Sequence, residues 1–291
     1  MKLIDDGGCP YFLDDKYLDK QFEDYPLSST YLEDAASLIQ RLRRKMYGAI
    51  SEKPLKEIWS LFVPPYSTKP KAFYELNAIV IPYGVMLRPF STSKSARYLQ
   101  MATVGSQIAK VMWQHFDETG SYFNYKGSQM DSLTADVLSS MGAVTNCLEE
   151  QFQTQKFVID EGITVKYQLP ESLTVNSRLA DVGGIHLAFN TMMKNNSGAP
   201  LPWLSTHMTK EQLYFLTIAQ SMCTKSGVYQ YAVSMFEEED LPPFLRVEDM
   251  ARNSKEFIKA FSCDAKKVTQ PACEPFTLVK ETKAKPFESN H

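Results

Sequence analysis

The chain has 291 residues, 44% of them apolar and 22% charged, with a net charge of −3. That balance excludes wholesale disorder, and the length suffices for one large domain or two small ones whose core needs no staples. No long basic run marks a nucleic-acid footprint, no stretch is apolar for long enough to span a membrane, and the opening Met1-Lys2-Leu3-Ile4-Asp5-Asp6 turns acidic at once, without a hydrophobic signal core.

In chain order, residues 1–25 are polar and aromatic without a period and read as an irregular lead-in. Thr30-x-x-Glu33 resembles a capping box, and Tyr31, Ala35, Leu38, Ile39, Leu42 and Met46 then share one helical face, which predicts a helix over 31–48. Ile79-Val80-Ile81, stopped by Pro82, and Val85-Met86-Leu87, stopped by Pro89, predict two short strands. Val104, Ile108, Val111, Met112, His115 and Phe116 form an apolar stripe within a helix from Leu99 to Phe116, and a second long helix covers 132–154. Phe157–Val165 reads as a hairpin. Leu173 to Met193 is helical despite Gly183-Gly184; adjacent glycines cost about 1 kcal/mol each against alanine, so they permit close packing or carry function. A Gly/Pro/Ser loop at 196–206, helices over 210–223 and 254–261, and a charged tail at 277–291 complete the chain. The fold class is mainly α with a small antiparallel β-sheet.

The scarce residues narrow the chemistry. Of the four histidines, His115, His186, His207 and His291, no two stand four apart, as a helical metal pair requires. The five cysteines, Cys9, Cys147, Cys223, Cys263 and Cys273, form no C-x-x-C, which argues against a zinc ribbon or a thioredoxin-type motif and leaves scattered disulfides or buried thiols. His115 on its apolar stripe reads as a satisfied core histidine and His186 as at most a lone polar contact. Glu237-Glu238-Glu239-Asp240 reads as a solvated acidic loop, and Asn195-Asn196-Ser197 is a glycosylation sequon.

Five strings carry a likeness: Asn77-Ala-Ile-Val-Ile-Pro82-Tyr-Gly84, Phe116-Asp117-Glu118-Thr119-Gly120, Leu179-Ala180-Asp181-Val182-Gly183-Gly184, Leu201-Pro202-Trp203-Leu204, and Asn253-Ser-Lys-Glu-Phe257-x-x-Ala260-Phe261-x-Cys263. In this order and spacing the chain resembles the catalytic C-terminal domain of the neprilysin-like zinc metallopeptidase family, from about Tyr25 to Phe276. The resemblance implies the C-terminal lobe of a zincin (thermolysin-like) metallopeptidase over 26–276. Family members normally carry a further N-terminal half that closes over the active site, and the likeness does not extend to that half.

Zincin chemistry rests on H-E-x-x-H, where two imidazoles on one helix face hold Zn²⁺ and the glutamate activates the bound water. Laid on the family pattern, the first histidine falls on Lys110, the glutamate on Val111, the second histidine on Gln114, the third ligand on Ser177 and the distal histidine on Asp240, or on Leu241 with a one-residue shift. The peptide-binding segment becomes Lys71-Ala72-Phe73-Tyr74, while Asp181, which in the family orients the first histidine, and Arg246, which matches a substrate-contacting arginine, are retained. The resemblance therefore implies a family that uses zinc and a sequence without its ligands, so no cofactor is expected. A Lys110–Asp181 ion pair is expected to replace the metal as the link between two helices. A Ser177–Lys110 nucleophile and base pair is the rival reading; it needs an oxyanion hole that the sequence does not display.

The resemblance also implies a disulfide between Cys147 and Cys273, and for Cys223 and Cys263 partners beyond the likeness, or each other, or none. Function then reads as a catalytically inactive homologue that binds a peptide or a partner protein, an active family member among the candidates. A strand near Ile79–Ile81 is expected to hold an extended peptide at its edge. The alternatives are residual or divergent proteolysis and a non-functional fragment. Family membership implies a secreted or membrane-anchored setting, for which the sequence shows no signal.

Overall fold

The computed structural model describes residues 2–5, 14–23, 28, 30–48, 63–87, 96–130, 135–153, 157–160, 163–165, 171–194, 207–227, 230, 233, 240–264 and 272–273. The tail at 277–291, the loop at 196–206, the sequon at Asn195, the acidic residues 237–239 and Cys9 lie outside them.

Within 1–25, strand β1 (Lys2–Asp5) and helix α1 (Asp15–Phe22) replace the irregular lead-in. The helix is capped by Asp14, whose carboxylate accepts from the Lys16 N–H at 3.0 Å. The strand owes its existence to a partner more than seventy residues away, which no local period announces. Helix α2 (Tyr31–Gly48) matches its predicted span, with the Thr30 hydroxyl accepting from the Glu33 N–H at 3.4 Å.

Strands β2 (Lys71–Phe73) and β3 (Ala78–Ile81) follow, and the sheet order is β1-β3-β2. β1 runs parallel to β3 and β2 antiparallel, with Ile79 facing Leu3 on one side and Ala72 on the other. Ile79–Ile81 is therefore the central strand, not an edge; among the described strands β1 and β2 are the outer ones, on opposite sides of it. The predicted second strand at 85–87 is instead a helical turn, α3 (Tyr83–Met86). Pro82 fixes the entry (φ −67°), and the Gly84 N–H donates to the Pro65 carbonyl at 2.9 Å. A Cβ on Gly84 would lie 2.4 Å from the Ser67 carbonyl oxygen, so only glycine allows this approach. Val85, wholly buried, then joins Ile79, Ile81, Val104 and Val111 in one core cluster.

The predicted helix at 99–116 is assembled from α4 (Arg97–Gln100), a π-helical turn (Met101–Gly105) and α5 (Ser106–Gln114). Helix α6 (Ala135–Gln153) precedes a hairpin of β4 (Phe157–Asp160) and β5 (Ile163–Val165), paired antiparallel. Helix α7 (Glu171–Lys194) is the spine of the fold, and α5 packs along it. The glycine pair explains that approach: a Cβ on Gly183 would sit 2.5 Å from the Trp113 ring, and one on Gly184 2.8 Å from the Lys110 backbone nitrogen. Helix α8 (Lys210–Ser221) opens with a full capping box of Thr209 and Gln212. The sequence reading passed over α9 (Pro243–Arg252), which begins with proline at its first position; α10 (Lys255–Ala260) is capped by Ser254.

The main core lies between α7, α8 and the π turn, around Ala102, Ile185, Phe189, Tyr214, Phe215 and Met250. A second interior layer is polar. Arg178 on α7, 2% exposed, grips Asp249 on α9 through Nε (2.9 Å) and Nη2 (2.7 Å), and its Nη1 donates to the Leu148 carbonyl on α6 at 2.6 Å. Beside it Gln151 and Asn253 exchange two hydrogen bonds of 3.0 Å, and the Asn253 side-chain oxygen accepts from the Cys273 N–H at 2.8 Å. Cys273 is disulfide-bonded to Cys147 on α6.

Candidate functional site

Four segments converge on one polar cluster. Lys110 and Gln114 come from α5, Ser177 and Asp181 from α7, Arg246 from α9, and Asp240 from the chain just before α9. The convergence follows from packing. The glycine pair lets α7 press against the backbone of α5 at Lys110, so a side chain leaving α5 there meets the turn of α7 that bears Ser177 and Asp181.

The Lys110 Nζ lies 3.0 Å from Ser177 Oγ, 3.0 Å from Asp240 Oδ1 and 3.2 Å from Asp181 Oδ1. As an ammonium it has three hydrogens, and these are three acceptors. Ser177 Oγ in turn donates to Asp240 Oδ1. Arg246 closes on Asp181 with two parallel bonds of 2.7 Å, from Nε and Nη2, and its Nη1 lies 4.0 Å from Asp240. Two cations thus face two carboxylates, with side chains only 6–20% exposed. Burial alone would raise the Asp240 carboxyl. The charges of Lys110 and Arg246, with hydrogen bonds from Ser177 and Lys110, outweigh it and hold that group well below the usual carboxylate range.

The other positions singled out in the sequence fall around this cluster. Val111, 2% exposed, packs in the β3 core and offers no proton acceptor. Gln114 lines the adjoining cavity of about 570 Å³ together with Lys69, Tyr74, Asn176, Ser177 and Arg246. Ala72 and Phe73 lie in β2, beside that cavity's rim at Lys69–Pro70. For the rival nucleophile reading, the 3.0 Å contact between Ser177 and Lys110 is present, but the ammonium is shared with two carboxylates and the hydroxyl is turned to Asp240. Among the described residues, no three His, Cys, Asp or Glu side chains are grouped to hold a metal ion.

Two neighbouring residues escaped the sequence reading as site elements. Asp117 is buried, accepting from the Gly120 N–H (2.7 Å) and the Tyr74 hydroxyl (3.3 Å); burial raises its carboxyl, against the pull of those bonds. It ties the end of α5 to the segment after β2, which accounts for the string Phe116-Asp117-Glu118-Thr119-Gly120. His115 differs from the satisfied core histidine expected: Nδ1 meets the Val111 carbonyl at 3.2 Å, while Nε2 is buried without a hydrogen-bond partner among the described residues. His186 meets both Glu256 (3.0 Å) and Asn190 (2.8 Å), more than the lone polar contact expected. Cys223 and Cys263 are exposed free thiols.

Comparison with known proteins agrees with this architecture. Residues 71–274 match the model of peptidase family M13. Human endothelin-converting enzyme 1 is 28% identical over 264 residues, covering 88% of this chain and 33% of the enzyme. Human neprilysin is 26% identical over 260 residues, covering 86% and 32%. The chain thus spans about a third of the length of the curated relatives it matches. Among solved structures, the Mycobacterium tuberculosis zinc metalloprotease Zmp1 in complex with an inhibitor superposes with a TM-score of 0.63 at 22% identity, covering 73% of this chain and 32% of that one. A Haemonchus galactose-containing glycoprotein complex superposes at 0.75 and 20% identity, covering 95% of this chain and 45% of that one. Both share its fold.

Proposed function

The chain belongs to peptidase family M13, and from that premise we propose that it is a member without the family's metal chemistry, which acts by holding an extended peptide or a partner protein in its cleft. The observation that carries this reading is the Lys110 ammonium, seated within 3.2 Å of Ser177, Asp181 and Asp240. On the family pattern these positions belong to the zinc site, with Val111 in place of the general base and Gln114 in place of the second histidine. An ammonium offers no lone pair to a metal and repels a dication. The two carboxylates are each already matched by a cation. This donor set does not fit zinc, and no catalytic step is assigned through one.

The binding side of the family's work needs none of those residues. The cavity beside Gln114 and Asn176 stays open, with amide side chains facing in. Among the described strands β2 is an outer one, and an extended chain would add beside it as a further strand. Since the chain covers about a third of its relatives, the activity and partners of the whole protein remain within this proposal.

Elemental analysis of the purified, folded chain tests the reading directly, paired with cleavage and binding assays on a library of labelled peptides. Near-zero zinc, no cleavage, and peptide binding lost on substituting Gln114 or Asn176 by bulky residues are expected. One tightly held zinc per chain, or cleavage that a chelator abolishes, overturns it.

A further inference from the structure

The turn after α5 folds back on the turn after β2 and leaves a hollow between them. The Asn77 side-chain amide donates to the Tyr125 carbonyl at 2.9 Å, and Gly127, at φ +78°, lies so close to Glu75 that a Cβ there would overlap its carbonyl oxygen. The Asn124 side-chain oxygen accepts from the Lys126 N–H (2.8 Å) and the Ser128 N–H (3.1 Å), which fixes the tip of the turn. Tyr74 is held between two rings, T-shaped to His115 at 5.7 Å and stacked on Phe123 at 5.8 Å, with its hydroxyl on Asp117. The result is a second cavity, of about 230 Å³, walled by Tyr74, His115, Phe116, Phe123 and Tyr125. Two of those rings turn outward, Phe116 at 64% exposed and Tyr125 at 73%. Backbone pinned on both sides holds the hollow open, so a guest need not reorder it.

What fits follows from size and charge. The volume lies below the range that takes a free small molecule whole, and matches one large side chain. Among the described residues that line it none is charged, so a buried ion would find no counter-charge. Ring faces can hold a cation, but the outer ring is taken. The Lys126 ammonium already stands 5.5 Å from the Tyr125 ring centre, and it repels a second positive charge. An aliphatic guest would gain burial alone, whereas a flat ring also gains edge and face contacts with rings on several sides. Tyr74 lines the cleft as well, so its ring is the partition between the two cavities. Side chains two apart on an extended chain stand about 7 Å from each other, which lets one peptide place one in the cleft and another behind Tyr74. We propose that this pocket takes a neutral aromatic side chain of the peptide held in the cleft, and so selects which peptides bind. The selective role rests on the peptide-binding reading above; the pocket's taste for a neutral ring does not.

Two probes separate the pocket from the cleft. The first is N-acetyl-tyrosinamide, titrated into the full chain to about 20 mM, since a lone side chain binds at millimolar order. Binding is read by NMR at the His115 imidazole, whose resonance is identified by its loss in His115→Gln. Saturable shifts of that resonance are expected, with affinity about fivefold weaker in Phe116→Ala and in Tyr125→Ala, which remove exposed rings of the wall. Tyr66→Ala, an exposed ring that does not line the pocket, is expected to change nothing. N-acetyl-leucinamide and N-acetyl-lysinamide are expected to bind more weakly than the aromatic amide. The second probe is the labelled peptide library, in which peptides bearing Tyr, Phe or Trp are expected to bind about tenfold tighter than their leucine counterparts, a preference lost in Phe116→Ala. A His115 resonance that does not shift, or a leucine or lysine amide that binds as well as the aromatic one, overturns the pocket. Peptides that bind without aromatic preference overturn its selective role while leaving the cleft reading intact. Amide binding with no peptide binding overturns the cleft reading, and the selective role with it.

Discussion

Asp181→Asn perturbs the polar cluster with the least change of shape. The carboxylate is 6% exposed, accepts two bonds of 2.7 Å from Arg246 and stands 3.2 Å from the Lys110 ammonium. The amide keeps the volume but turns one oxygen into an N–H₂ donor that faces a guanidinium or an ammonium. Two buried cations then share Asp240, 3.0 Å from Lys110 and 4.0 Å from Arg246. Breaking a buried pair by removing one partner costs about 3–5 kcal/mol, and at this chain length each kcal/mol moves the melting temperature by about 2–4 °C, so a fall of about 10 °C is expected by calorimetry. Lys110→Met should cost a similar amount by stranding Asp240 beside Ser177. Because both act on one network, Lys110→Met with Asp181→Asn should cost clearly less than the two singles added together. The pH dependence has a definite sign. Asp240 titrates below its unfolded value, so its contribution is complete above the unfolded pKa of about 4 and is lost only as pH falls through the depressed folded value. Melting temperatures should therefore fall with acidity in the wild type, and less steeply in Asp240→Asn. An Asp181→Asn chain that melts with the wild type would refute the claim that this cluster links α5 to α7.

Three further outcomes are expected. Gly184→Ala drives a methyl to within 2.8 Å of the Lys110 backbone nitrogen, and because backbone cannot swing aside it should destabilise by about 1–3 kcal/mol and loosen the cluster, read as a lower urea midpoint. Arg178→Met leaves Asp249 buried without its bidentate partner and should cost about 3–5 kcal/mol, most of it recovered when Asp249→Leu is added; no recovery would mean that the Leu148 carbonyl bond matters more than the charge pair. Replacing Cys147 and Cys273 together by serine opens a loop of 126 residues, for which loss of chain restraint predicts about 4–5 kcal/mol, checked by comparing denaturation of the double variant with that of the oxidised parent.

Helices with a strong apolar period were legible: α2, α6, α7 and α8 lie within a few residues of their predicted spans, and the closeness of Lys110 to Asp181 followed from placing both on the family pattern. The features that escaped depend on distant partners. β1 exists because β3 offers a parallel edge, and Val85 lies in a turn because Pro82 sets the entry and the Pro65 carbonyl holds the Gly84 N–H. α9 went unseen because an acidic run and two prolines mask its start, although proline at a first helical position is a start signal in its own right. The Arg178–Asp249 pair bridges 71 positions and leaves no trace in spacing. Lys110 was expected to meet one carboxylate and meets two, since the path of the chain at Asp240 is set by the docking of α9.

The π turn at Met101–Gly105 has a bearing on all of this. A π turn amounts to one residue inserted into an α-helix, and one residue advances a helix by about 100°. The azimuth at which Lys110 leaves α5 is therefore set by the residue count upstream, as much as by anything it touches. Were Met101–Gly105 to wind as plain α-helix with every residue kept, the extra residue would swing Lys110 a quarter-turn or more away from Ser177 and Asp240, and Trp113 would no longer lie over Gly183. The π turn takes up that residue within itself, so the central cluster depends on a stretch of backbone that contributes none of its side chains.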